Sequence, residues 1–179
     1  MISDLFTKTS AEFSPCERYR YSLTRRWDNR LPGVCFVMLN PSTATAEKDD
    51  PTIRRCVGFA KHWGYGGVAI VNLFALRSTD PAQLYVADDP IGPKNDEAIL
   101  EWTGCRDVVC AWGAHGAHLG RGAAVLSLIH RHTAGTVMCL GVTQDGQPKH
   151  PLYIAKSQER ITYPRPDVRQ MEKRMPTKG

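Results

Sequence analysis

The fold is decided by one stretch, Val34-Cys35-Phe36-Val37-Met38-Leu39, which runs directly into Asn40-Pro41-Ser42. The run is continuously apolar, as a β-strand covered on both faces must be. Three later runs share this character and are likewise introduced by turn residues: Val68–Phe74, Val108–Trp112 and Thr136–Leu140. The sequence therefore predicts four buried strands.

Helical patterns lie between these runs. Asp50-Pro51 is a good N-cap and first-turn pair, and apolar residues then recur at helical spacing as far as Gly64. Two further helices are predicted, one opening at Pro93 and one running from about Arg121 to His130. Alternation of strands and helices at these lengths predicts a three-layer α/β/α sandwich around a central four-stranded parallel sheet.

The 179 residues fit a single domain with two basic extensions, an N-terminal arm of about residues 1–30 and a tail of about residues 156–179. The net charge is +5, and aromatic residues lie among the basic ones in both extensions, which favours nucleic acid as a partner. A solvated basic surface is the alternative. Residues 17–27 alternate weakly and are expected to add an edge strand or arm, whereas the proline-containing tail is expected to be only partly ordered.

Composition argues against several classes of protein. No apolar run approaches the roughly 20 residues that cross a bilayer, and the N-terminus lacks a secretory signal pattern, so we expect a cytoplasmic protein without membrane contact. The six cysteines contain no C-x-x-C pair, which favours structural thiols. The histidine pairs His115/His118 and His130/His132 lack the further ligands of a metal site, so neither a metal nor another cofactor is expected.

Small polar residues and a histidine follow the four predicted strands. Ligands of a parallel sheet bind beyond the carboxyl ends of its strands, so these residues should meet at one edge. They are Asn40-Pro41-Ser42, Asn72, Gly113-Ala114-His115 and Lys149-His150-Pro151. The proline holds Asn40 extended, and the Asn40 amide could position a water or read a base edge, although the segment also suits a simple turn. Asp50 has a role as a helix cap, which leaves Asp49 as the freer carboxylate nearby.

Two levels of resemblance are visible in these segments. The first is to an uncharacterised bacterial and phage domain family of unknown function, and it covers about residues 20–155. It is carried by Met38–Thr43, Asp50-Pro51-Thr52, Val71–Ala75, Ala111-Trp112-Gly113 and Lys149–Tyr153.

More distantly, the same landmarks resemble the uracil-DNA glycosylase superfamily in order and spacing. The first-strand loop of that superfamily, G-Q-D-P-Y or G-I-N-P-G, falls on Leu39-Asn40-Pro41-Ser42, and its W-x-x-x-G-V-L-L-L-N segment falls on Trp63–Asn72. Its third strand ends L-W-G, which is matched by Ala111-Trp112-Gly113. Its closing H-P-S-P motif is partly matched by His150-Pro151-Leu152.

The resemblance implies a monofunctional DNA glycosylase of that fold, which flips a base out of DNA and hydrolyses its N-glycosidic bond. It implies that Asn40 positions the hydrolytic water. Asp49, as the freer carboxylate nearby, is a second candidate for handling that water. Asn72 would read the polar edge of a pyrimidine, and His150 would donate a hydrogen bond to the departing base. The other expected substrate-binding residues are Pro41, Ser42, Phe74, Trp112, Gly113 and His115. The expected DNA-binding residues are Arg54, Arg77, Lys149, Tyr153 and Lys156.

Departures from the superfamily pattern shape the predicted substrate. Asn40 replaces the aspartate of the most active branch, which argues against strong uracil excision, and the closing motif lacks its second serine and proline. Ser42 replaces the tyrosine that walls off C5 of uracil. We therefore expect a monomeric enzyme acting on a C5-substituted pyrimidine, such as the hydroxymethylated or glycosylated cytosine of phage DNA, in phage defence. The alternatives are a hydrolase or transferase of free nucleotides in modified-base metabolism, and a non-catalytic module that binds modified DNA.

Overall fold

The computed structural model describes residues 8–164, and these residues contain one seven-stranded sheet. Its strands are β1 (Lys8–Phe13), β2 (Arg20–Arg26), β3 (Gly33–Met38), β4 (Gly67–Asn72), β5 (Asp107–Cys110), β6 (Val137–Cys139) and β7 (Ile161–Thr162). They lie in the order β1-β2-β4-β3-β5-β6-β7. The four predicted runs form its parallel centre, β4-β3-β5-β6.

The sheet is mixed, so the prediction of a four-stranded parallel sheet is wrong in strand number and in strand direction. β1 and β2 extend the sheet antiparallel beside β4, and β7 pairs antiparallel with β6. The strand expected at an edge within residues 17–27 is β2, which lies inside the sheet because β1 covers it. Its alternation is weak because Arg20, Ser22 and Arg25 are buried along with its apolar side chains.

Both basic extensions contribute strands to the sheet. The described part of the N-terminal arm forms β1 and β2, and residues 1–7 lie outside the described residues. In the tail, Tyr163 is buried, with its ring edge-on to Trp112 and its hydroxyl donating to the Gly146 carbonyl at 3.0 Å. The expectation of a partly ordered tail concerns mostly residues 165–179, which lie outside the described range.

Helices cover both faces of the sheet and give the predicted three layers. They are α1 (Pro51–His62), α2 (Gln83–Val86), α3 (Asn95–Thr103) and α4 (Arg121–His132). α1 begins where the sequence predicts, because Asp50 Oδ1 accepts a hydrogen bond from Ile53 N at 2.9 Å. The second predicted helix, α3, begins at Asn95 rather than at Pro93. α1 packs on one face of the sheet, and α3 and α4 pack on the other.

The two faces of each central strand belong to separate parts of the core. Along β3, Val34, Phe36 and Met38 pack on the side of α1, whereas Cys35 and Val37 pack on the side of α3 and α4. The runs are continuously apolar because both faces are covered. Burial raises the pKa of the Cys35 thiol to about 12, as suits a structural cysteine.

Main-chain hydrogen bonds bring the carboxyl ends of the central strands together. Leu73 N donates to Met38 O at 2.9 Å, and Ala111 N donates to Val37 O at 2.9 Å. The chain therefore leaves β4 after Asn72, beside the end of β3, and the last two residues of the predicted run Val68–Phe74 are not strand. The segments that follow β3, β4 and β5 consequently start at one edge of the sheet.

Alanine substitutions at two glycines test how tightly this edge of the sheet is packed. A Cβ atom added at Gly116 would lie 2.0 Å from Cδ1 of the buried Trp112, whereas one added at Gly58, on the exposed side of α1, meets nothing within 4 Å. We expect Gly116→Ala to lower the free energy of unfolding by about 1–3 kcal/mol. The matched variant Gly58→Ala should raise it by up to about 1 kcal/mol through helix propensity. Urea unfolding measures both, and equal effects would contradict the packing described.

Candidate active site

A cavity of ≈ 620 Å³ opens at the carboxyl ends of the central strands. The four segments predicted to converge each contribute to its wall, through Asn40, Asn72, Gly113 and His150. Arg20, from the start of β2, also lines the cavity. The sequence patterns did not single out Arg20, because its membership of the wall depends on the antiparallel pairing of β2 with β4.

The Asn40 amide group is fixed by the main chain. Its Nδ2 donates to the carbonyls of Pro41 (3.1 Å), Leu76 (3.4 Å) and Ser78 (2.9 Å). Two of these acceptors, Leu76 and Ser78, tie the loop after β3 to the segment after β4, so Asn40 has a structural role, although residues 40–42 form no assigned turn. The three acceptors also establish which end of the amide is the nitrogen. The remaining atom, Oδ1, can act on a ligand or water only as an acceptor.

The Asn72 side chain is buried in the cavity wall with its hydrogen-bonding capacity unused. It is 1% exposed, and neither its Nδ2 nor its Oδ1 has a hydrogen-bond partner within residues 8–164. Its own carbonyl accepts from Asn95 Nδ2 at 2.9 Å, which holds the main chain at the end of β4. A buried amide without partners costs free energy, and few such groups persist in native proteins. The Nδ2 donor and the Oδ1 acceptor of Asn72 are therefore both available for further hydrogen bonds.

His150 is held as a neutral imidazole with a defined tautomer. Its Nδ1 accepts from Leu152 N at 3.3 Å, at the start of the one-turn helix Pro151–Tyr153. The proton of the neutral ring therefore lies on Nε2. Burial lowers the pKa of His150 below its usual value, and the charge of Asp50 opposes this shift. Arg55, on α1, donates to the Pro151 and Ile154 carbonyls and so holds the turn in place.

The two adjacent aspartates are only partly as predicted, because Asp50 caps α1 but Asp49 is not the carboxylate that faces the cavity. Asp49 is not a free carboxylate: its Oδ1 accepts from Arg25 Nε at 2.9 Å and lies 2.8 Å from Arg25 Nη2. Asp50 caps α1 and also lines the cavity. The prediction treated these two roles as exclusive, but a cap occupies only one carboxylate oxygen. Asp50 is therefore the carboxylate of this site.

The remaining predicted binding residues divide into two groups. Ser42, Trp112, Gly113 and His115 line the cavity, whereas Pro41 and Phe74 do not. Phe74 is fully buried behind the wall, with its ring 5.7 Å from the ring of His118. Trp112 is buried and donates from Nε1 to Gln147 Oε1 at 2.9 Å. His115 is exposed, and its Nδ1 lies 2.9 Å from the Tyr85 hydroxyl.

Of the predicted DNA-binding residues, Tyr153 lies at the cavity, where it is 89% exposed. Lys149 and Lys156 are exposed but do not line the cavity. Arg54 donates to the Asp49 carbonyl at 3.0 Å, and Arg77 donates to the Glu17 carbonyl at 2.9 Å. The guanidinium groups of both arginines therefore also bind their own chain.

Fewer of the positive charges of residues 17–30 lie at the surface than the sequence suggests. Arg20 and Arg25, two of the five arginines in this segment, are buried. Both bind the loop between β3 and α1, Arg20 through the Ala44 carbonyl at 2.9 Å and Arg25 through the Thr45 carbonyl at 2.6 Å. Part of the positive charge that favoured nucleic acid is thus used to hold a loop.

The chain belongs to the domain family described as "Protein of unknown function (DUF1643)", which matches residues 20–152. No curated protein and no solved structure matches the chain. Among residues 8–164, no group of three or more His, Cys, Asp or Glu side chains is placed to hold a metal ion. No helix in this part of the chain combines the length and the apolar character that crossing a membrane requires.

Asp49→Ala tests whether Asp49 is a structural residue. The change removes the carboxylate that compensates the buried Arg25 guanidinium, so we expect the free energy of unfolding to fall by about 2 kcal/mol. The matched control is Glu47→Ala, which removes an exposed carboxylate of the same loop and should change stability by no more than about 0.5 kcal/mol. Both are measured by urea unfolding, and an unaffected Asp49→Ala protein would contradict the structural role.

The tautomer of His150 can be observed directly by ¹⁵N NMR of the imidazole rings. At pH 7 we expect an unprotonated Nδ1 and a protonated Nε2, because Nδ1 accepts from a main-chain N–H. His132 is an internal control that should show the opposite tautomer, since its Nδ1 lies 2.8 Å from the Leu128 carbonyl and must carry a proton. The pKa of His150 in the folded protein lies below its usual 6.5, so folding favours the neutral ring. The free energy of unfolding should therefore fall as the pH is lowered from about 6.5 through the folded pKa. A protonated Nδ1 on His150 at pH 7 would contradict the description.

Proposed function

We propose that the protein is a DNA glycosylase that binds a flipped, C5-substituted pyrimidine in this cavity and hydrolyses its N-glycosidic bond. The observation that carries the proposal is the buried, unpartnered amide of Asn72 in the cavity wall. An amide offers a donor and an acceptor side by side, which complements the N3 acceptor and the N4 amino group of cytosine. A base can reach so enclosed a group only after leaving the stack.

The proposed chemistry begins with heterolysis of the bond between C1′ of the sugar and N1 of the base. The electron pair moves onto the base, and the sugar becomes an oxocarbenium ion. The Nε2–H of His150 donates a hydrogen bond to the negative charge developing on the base. A neutral imidazole suits this role, because it stabilises the anion without an ion pair forming in the ground state.

Water then completes the reaction at C1′. Oδ1 of Asn40 accepts a hydrogen bond from that water, and the three carbonyls bound to Nδ2 prevent the amide from rotating away. The charge of Asp50 stabilises the oxocarbenium ion, with its capping bond to Ile53 holding the carboxylate in place. The water oxygen bonds to C1′, and its proton passes to the base, which leaves neutral. The product is an abasic site.

The short Ser42 side chain supports the choice of a substituted base. Ser42 lines the cavity at the position where the resemblance places a tyrosine against C5 of uracil. A serine leaves room for a C5 substituent, such as the hydroxymethyl or glucosyl group of phage cytosine. The biological role that we propose is therefore defence against phage with modified DNA.

A second candidate is a hydrolase or transferase of free nucleotides carrying modified bases. The burial of Arg20 and Arg25 favours it, because both arginines are withdrawn from the surface that DNA would contact. DNA binding that weakens steeply with salt distinguishes the glycosylase from this alternative. A module that only binds modified DNA would tolerate Asn40→Ala without loss of function.

The decisive experiment is base release from glucosylated phage DNA, with unmodified DNA and uracil-containing DNA as comparisons. We expect alkali-labile abasic sites in the glucosylated DNA. Asn40→Ala and Asn72→Ala should each slow their formation by about 100-fold or more, the scale of losing one positioned polar group. Asp50→Asn should also slow it while keeping the helix cap, and Glu47→Gln, at an exposed carboxylate of the same loop that does not line the cavity, is the matched control. Equal inactivity of the wild-type protein on all three DNAs would overturn the proposal.

A further inference from the structure

A buried arginine lies in the wall of the same cavity. Arg20 begins β2, and its main-chain N donates to the Ala75 carbonyl at 3.0 Å, just beyond the end of β4. Its side chain is 2% exposed and lines the cavity with Asn72 and Asp50. This position is deep, whereas Tyr153 and His115 are exposed at the same cavity.

The two buried arginines of β2 differ in how their charge is compensated. Arg25 has a carboxylate partner, Asp49, at 2.8 Å. Among the described residues, Arg20 makes one side-chain hydrogen bond, from Nη1 to the Ala44 carbonyl at 2.9 Å. Within residues 8–164, Arg20 forms no ion pair, and its buried Nε has no acceptor. Asp50 acts on Arg20 only as a nearby charge.

The Arg20 side chain remains a cation in this environment. Burial lowers its pKa from the usual 12.5 to about 10, which is still above neutral pH, so the group is charged where the protein works. A buried cation with an unmade hydrogen bond is costly unless another group supplies an acceptor. The wall of a cavity is the place where a ligand can supply one.

We propose that Arg20 is a specificity residue that recognises an oxygen-bearing C5 substituent of the bound base, through its Nε and guanidinium donors. The inference rests on the proposed function and names the substrate class of that site: bases with a hydroxymethyl, glycosyl or carboxyl group, rather than a methyl or an amine. A methyl offers no acceptor, and an amine would bring a second cation. A base substituent fits better than a DNA phosphate, because a flipped base enters the cavity deeply while the phosphates remain at its mouth.

Binding is measured separately from cleavage. The probes are duplex oligonucleotides with one central cytosine that carries a 5-methyl, 5-hydroxymethyl or 5-carboxyl group. A 2′-fluoro sugar blocks hydrolysis by destabilising the oxocarbenium ion. Wild-type protein should bind the two oxygen-bearing probes about 10- to 100-fold more tightly than the methyl probe, the range given by a hydrogen bond to a charged group. Arg20→Met should lose this preference and keep the affinity for the methyl probe, and Arg20→Lys should keep part of the preference.

A second measurement uses only the wild-type protein, so it decides the question even if Arg20→Met does not fold. The Nε–H resonance of Arg20 should shift on addition of the hydroxymethyl probe, while that of Arg25, bound to Asp49, should not. Deoxyribose 5-phosphate, which has no base, should leave Arg20 unchanged. A shift with this compound would instead assign Arg20 to a phosphate.

The inference is overturned if the three probes bind equally well or if the preference survives in Arg20→Met. It is also overturned if the Arg20 resonance shifts with deoxyribose 5-phosphate, or does not shift with the hydroxymethyl probe. Failure of the proposed function looks different. If abasic sites form but the protein does not prefer oxygen-bearing C5 substituents, the glycosylase proposal stands and the role of Arg20 is refuted. If the preference depends on Arg20 but no abasic sites form, the recognition site stands and the proposed hydrolysis is refuted.

Discussion

The ion pair between Arg25 and Asp49 constrains the loop between β3 and α1, which contributes Asn40, Ser42 and Asp50 to the cavity wall. Arg25 lies on β2 inside the sheet, so the loop that it holds cannot move without exposing or stranding a buried charge. It also donates to the Thr45 carbonyl, which fixes the middle of the same loop. The loop carries Ser42 at one end and Asp50 at the other. β2 therefore holds in place the loop that joins the end of β3 to the start of α1.

This anchoring explains how the cavity keeps polar groups without partners. Asn72 and Arg20 would be expected to relax toward acceptors or donors if the surrounding chain were free to adapt. It is not free, because the strand ends are joined by main-chain bonds and Asn40 is held by three carbonyls. The stability of the sheet thus maintains a locally unfavourable arrangement, a pattern common at functional sites. Glycosidic cleavage and base recognition would both use such preorganised groups.

The proposed roles separate along the depth of the cavity. Asn72 and Arg20 are almost completely buried and are suited to reading a base and its substituent. Asn40, Asp50 and His150 are partly exposed and are suited to act at the glycosidic bond and the sugar. This order follows the way a flipped nucleotide would enter, with its base first. It also distinguishes the residues that should change specificity from those that should change rate.

Local sequence determined the parts of this protein that depend on neighbouring residues. The continuous apolar runs specified the four central strands, and Asp50-Pro51 specified the start of α1. Because the carboxyl ends of parallel strands share an edge, these patterns also brought Asn40, Asn72 and His150 to one cavity.

Tertiary structure alone decided the rest. Arg20 and Arg25 look like surface charges in the sequence, and they are buried because the loop between β3 and α1 packs against their guanidinium groups. Asp49 looks like the freer carboxylate of the two neighbours in the sequence, and only the fold shows that Arg25 binds it. The physical reason is that burial and charge compensation depend on non-local pairing, which no pattern of adjacent residues encodes.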